Sequence, residues 1–155
     1  MEETIDWRLA RMGVSLPAAA APAANYLPFV RQDGLLYISG QLPFAAAGLA
    51  VRGRLGDQVS VADGREAARL CAVNVLAQAK AALSGDLERL RRVVRITGFV
   101  ASAPGFAEQH LVVNGASDFL VEALGERGKH ARAAVGVAGL PLDAAVEVDA
   151  IIAVD

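Results

Sequence analysis

Two long segments with helical spacing, each set between strand-like runs, limit this chain to a mixed sheet with crossover helices. Ser60 to Gly85 places Ala67, Leu70, Cys71, Asn74, Val75 and Gln78 at helical intervals, with Ser60 as N-cap, Asp63 three residues on and Gly85 as the stop. Pro104 to Gly125 gives the second, with Phe106, Val113, Ser117, Leu120 and Leu124 on one face and Pro104 near its start. Around them lie runs rich in Val, Ile and Leu: Tyr26 to Val30, Leu35 to Ser39, Arg91 to Ala101, Ala133 to Val137 and Ala145 to Ile152. Asp33-Gly34 between the first two predicts a tight hairpin. In the Arg91 to Ala101 run, Arg92, Arg95 and Thr97 mark the polar face.

The predicted order is β-β-α-β-α-β-β, an α+β fold. Strands joined through helices need crossovers, so the sheet is mixed and both helices cover one face. A third long helix for the other face is not predicted, so that face is expected to be buried by oligomerisation. Glu2 to Met12 reads as a short amphipathic helix through Ile5, Leu9 and Met12. Residues 17–24 read as an extended connector between prolines. Residues 1–24 are therefore an N-terminal extension, and 25–155 the main domain. Residues 44–59 read as loop, with an edge strand near Leu49 to Arg52.

Composition narrows the function. The 155 residues carry a formal net charge of -2, which offers nucleic acid no long-range attraction. Uncharged runs at 12–30 and 34–51 are broken by prolines and polar turns, so neither is read as a membrane span. The acidic N-terminus lacks the pattern of a secretory signal, and the one cysteine, Cys71, excludes an internal disulfide; a cytoplasmic location is expected. His110 and His130 lack a familiar metal-ligand spacing, and Ser39 has no nucleophile-elbow glycines around it, so neither a metal site nor a serine-hydrolase triad is expected.

The run from His130 through Arg132, Gly139-Leu140-Pro141 and Glu147 to Ala150 resembles the C-terminal signature of the RidA (YjgF) family. Tyr37-Ile38-Ser39-Gly40-Gln41-Leu42-Pro43 and Asn114-Gly115-Ala116-Ser117-Asp118-Phe119 resemble its other conserved segments, in the same order, over roughly Asn25 to the C-terminus. The resemblance implies a chorismate-mutase-like fold, a homotrimer with active sites between subunits, and hydrolysis of reactive imines and enamines to 2-oxo acids and ammonia without metal or organic cofactor.

It also implies roles for particular residues. Arg132 would hold the substrate carboxylate through its planar fork. Glu147 would position water or move a proton. Tyr26, Ser39, Gly40, Asn114 and Ala134 would line the substrate pocket, Gly40 by letting backbone approach the ligand and Ala134 through its main chain. Ala134 stands where the family often has cysteine, so thiol chemistry is not expected. Without the resemblance, Arg132 is a solvated residue at a strand end, Glu147 an outward-facing strand residue, Asn114 a solvated helix residue and Tyr26 a packing residue. Two other functions fit the same features: a non-catalytic binding protein for small carboxylates, and an endoribonuclease or translation inhibitor. Net charge and sparse aromatics weigh against the second.

Overall fold

The computed structural model describes residues 3–22 and 24–155. Five strands form one sheet in the order β1-β2-β7-β5-β6: β1 (Phe29–Gln32), β2 (Leu35–Gln41), β5 (Leu90–Ala101), β6 (Ala131–Val137) and β7 (Val146–Val154). Neighbours are antiparallel except β5 and β6. That parallel pair is joined through α3 (Gln109–Leu124), the kind of crossover the strand direction demands. α2 (Val61–Ala82) connects the first hairpin to β5 and packs on β2 and β7, while α3 packs on β5 and β6. The mixed sheet with both long helices on one face is the architecture read from the sequence.

Local signals explain the boundaries. Asp33 and Gly34 both have positive φ, 52° and 75°, as a two-residue hairpin turn requires. The Ser60 hydroxyl accepts the Asp63 N–H at 3.1 Å and starts α2. The helix closes at Leu83, where Ser84 turns left-handed and the Gly85 N–H donates to the Lys80 carbonyl at 2.8 Å. Along β7, Val146, Val148, Ala150, Ile152 and Val154 face the helices, and Glu147, Asp149 and Ile151 face the other way. That second face leaves Val30, Tyr37 and Val135 exposed.

Several boundaries differ from expectation. β1 begins at Phe29 rather than Tyr26, because Pro28 has no N–H to give the ladder. In place of an edge strand near Leu49 to Arg52 there is a small hairpin, β3 (Phe44–Ala45) with β4 (Gly48–Leu49), and Arg52 makes an isolated bridge to Ala144. α3 begins at Gln109, not near Pro104. The Phe106 N–H closes a turn onto the Ala103 carbonyl, and Gly105 at φ 84° is incompatible with helix, so Phe106 packs from a loop. β6 starts two residues earlier than read, at Ala131, and β7 runs to Val154.

α1 (Ile5–Arg11) is shorter than Glu2 to Met12, and Glu2 lies outside the described residues, as does Ala23 in the connector. Thr4 caps α1 by accepting the Trp7 N–H at 3.2 Å. Ile5 and Leu9 are each only 3% exposed and belong to the core, so this segment is packed, not pendant. Among the described residues no helix is long and apolar enough to cross a membrane.

Candidate active site

The residues singled out in the sequence fall into two groups, separated in the sheet by β5. The first lies on β2 and β7. Glu147 is on the face away from the helices, and the pairing of β2 with β7 is irregular between Ile38 and Gln41. That irregularity brings Gly40 against the Glu147 carboxylate: a Cβ at position 40 would overlap it. Burial, and then the charge of Asp149, push the Glu147 carboxyl above its ordinary 4.5.

Ser39 acts locally. Its hydroxyl donates to the Leu27 carbonyl at 2.7 Å and its N–H to the Pro28 carbonyl at 3.0 Å, fixing the bend that carries the exposed Tyr26. Tyr26 and Gly40 line a cavity of about 70 Å³ whose wall includes Ala20 and whose floor includes Gln41 and Gln78. The buried Gln78 amide donates to the Ala20 carbonyl at 2.9 Å and to Gln41 Oε1 at 3.4 Å. The N-terminal connector is thereby tied to the edge of this group.

The second group lies on β6 and α3. Arg132 is the second residue of β6 and projects to the helix side. Its Nη1 donates to the Ser117 hydroxyl at 3.0 Å and its Nη2 to the His110 carbonyl at 3.0 Å. A guanidinium has five N–H donors, so among the described residues three remain for a ligand. His110, Asn114 and Ser117 recur at helical spacing on one face of α3, which places Asn114 in this group. Ala134 follows on the same side of β6, half-buried, opposite Gly98 of β5. β6 is an edge strand, so half of its backbone groups have no strand partner.

Within one chain the two groups do not meet. β5 separates β7 from β6, roughly 10 Å for two strand spacings. Glu147 and Arg132 also leave opposite faces of the sheet. A site using both needs a second copy, with β6 and α3 of one chain facing β2 and β7 of another.

Sequence reasoning missed His130, Ser117 and Gln78 as participants. His130 Nε2 lies 2.9 Å from the Ser117 hydroxyl, and its Nδ1 lies 2.5 Å from the Gly128 carbonyl. The available signal was spacing: Ser117 lies one turn after Asn114, and His130 two residues before Arg132. For Gln78, the signal was a polar residue on the buried side of α2.

Comparison with known proteins places the chain among similar ones. The family model described as "YjgF/chorismate_mutase-like, putative endoribonuclease" matches residues 6–152. Protein TCP17 of Trypanosoma cruzi is 52% identical over 145 residues, 93% of this chain and 90% of that protein. A crystal structure of a protein of unknown function from Agrobacterium tumefaciens superposes with a TM-score of 0.92 at 56% identity, covering 97% of this chain and 92% of the other. RidA from an Antarctic Psychrobacter superposes with a TM-score of 0.61 at 28% identity, covering 88% and 94%. The Agrobacterium match spans too much of the chain to omit the N-terminal segment.

Proposed function

The chain belongs to the RidA (YjgF) family, and from that premise we propose that it is a hydrolytic deaminase of small reactive 2-imino and enamine acids. Its products are the 2-oxo acid and ammonia. The working unit is a homotrimer in which each cleft takes Arg132, Asn114 and Ala134 from one chain and Tyr26, Ser39, Gly40 and Glu147 from the next. The uncovered sheet face, with Val30, Tyr37 and Val135 exposed, supports such an assembly.

The observation that carries the reading is the pairing of chemistries. A guanidinium anchored by α3 keeps three free N–H donors, and a carboxyl with a raised pKa lies against a glycine. Arg132 grips the substrate carboxylate and so fixes the adjacent imine carbon. Water adds its oxygen to that carbon while Glu147 takes a proton from it. That proton passes to the imine nitrogen to give the amino alcohol. The hydroxyl proton then follows to the same nitrogen, the C–N bond breaks, ammonia leaves, and the oxygen becomes the carbonyl of the 2-oxo acid. A carboxyl pushed upward exchanges protons nearer neutrality than an ordinary glutamate, which suits both steps. The chemistry calls on no metal or organic cofactor.

The test is a coupled assay in which an amino-acid oxidase generates imines and semicarbazide traps those that survive. Wild type reduces the trapped imine and Arg132→Ala does not. If a folded wild-type protein leaves the spontaneous rate unchanged yet binds a 2-oxo acid, the chain is a carboxylate-binding protein instead.

A further inference from the structure

We propose that Ser117 and His130 are positioning residues that aim the Arg132 guanidinium, and that the anion affinity of the cleft depends on them. The inference rests on Arg132 being the carboxylate anchor and goes beyond it, to what sets the anchor's direction.

The hydrogen bonds have one consistent polarity. The Gly128 carbonyl can only accept, so the ring nitrogen 2.5 Å from it, Nδ1 of His130, carries the proton. In the neutral ring Nε2 then accepts. The Ser117 hydroxyl, 2.9 Å away, donates to it and keeps its lone pairs for Arg132 Nη1 at 3.0 Å. The chain of contacts runs from a backbone carbonyl through imidazole and hydroxyl to guanidinium. Its two ends are backbone: Gly128, which is buried, and His110 on α3, whose carbonyl takes Nη2 at 3.0 Å.

Gly128 is packed so tightly against the last turn of α3 that a Cβ there would overlap the Leu120 carbonyl. The carbonyl that orients His130 is therefore itself held in place. An arginine at the start of an edge strand has four side-chain torsions to lose before it can form a two-point grip on a carboxylate. Holding both terminal nitrogens from the protein side removes that freedom in advance and leaves the Nε–H and one N–H on each terminal nitrogen for the ligand.

The serine–histidine pair also has the contact expected of an activated nucleophile. The Arg132 N–H bonded to the same oxygen withdraws electron density from it, which favours the positioning role.

The experiment measures binding of 2-oxobutyrate to the full-length protein by calorimetry, with thermal melts to verify folding. Ser117→Ala and His130→Leu are each expected to weaken binding roughly tenfold, the scale of losing a hydrogen bond to a charged group. His130→Gln retains an acceptor toward Ser117 and is expected to restore binding close to wild type, a recovery that filling space alone would not give. If His130→Leu melts early, Ser117→Ala carries the test. Wild-type affinity in Ser117→Ala, together with loss of binding in Arg132→Ala, overturns the positioning role and leaves the functional reading standing. Wild-type affinity in Arg132→Ala overturns the anchor itself.

Discussion

The Glu147 carboxylate rests against the α-carbon of Gly40, with no room for a Cβ between them. Gly40→Ala is therefore expected to push the carboxylate out of line with little effect on the fold, since the obstacle is the movable end of a side chain. Turnover should fall about a hundredfold, the scale of a misplacement near 1 Å. Imine-trapping kinetics with a parallel thermal melt check this: lost activity with a near-wild-type melt is the expected pair of results.

Glu147 also leaves a mark on stability. Burial raises its carboxyl pKa in the folded state, so the native protein holds that proton more tightly than the unfolded chain. Native protein then binds more protons between the two values, and stability falls as pH rises from about the ordinary 4.5 through the raised value. Glu147→Gln removes this contribution. Its stability is expected to depend less on pH across that window and to exceed wild type at neutral pH, while activity is lost. Urea unfolding at a series of pH values measures it.

The N-terminal segment contributes to the core as well as to the site edge. Leu9 is 3% exposed, and Leu9→Ala is expected to cost about 2–5 kcal/mol, the range for a buried leucine. A pendant extension would give almost no change. Chemical denaturation distinguishes the two.

Where α2 crosses α3, a Cβ at Gly115 would collide with the Arg65 carbonyl. Alanine at a helix interior normally gains about 1 kcal/mol over glycine. Here overpacking costs about 1–3 kcal/mol, and because the obstacle is backbone the upper part of that range applies. Gly115→Ala is therefore expected to destabilise the protein, opposite in sign to the propensity rule.

The sequence made some features of this structure legible and hid others. Asp33-Gly34, Ser60 and Gly125 mark their elements because each meets a local backbone requirement that few residues meet. Pro104 misleads, because a proline suits the turn before a helix as well as its first turn, and Gly105 decides for the turn. In β5, Leu90, Val93 and Ile96 all face the core although their spacing is three, because the pairing with β7 shifts between Leu90 and Arg92 and between Val93 and Arg95. Period-two reading alone cannot see such bulges. Arg132 and Glu147, fifteen residues apart, look like neighbours on consecutive strands. The chain jumps over β5 between them and the strand registers turn them to opposite faces, so that a site using both would need a second copy.

That need gives the most direct test of the account. Arg132→Ala and Glu147→Gln chains, each expected to be inactive alone, are mixed in equal amounts, unfolded and refolded together, and assayed for imine removal. If each cleft draws one group from each of two chains, about a quarter of the clefts regain both groups, half times half, and activity returns to about a quarter of wild type. A mixture no more active than either variant, beside an active wild type refolded in the same way, would contradict a cleft shared between copies.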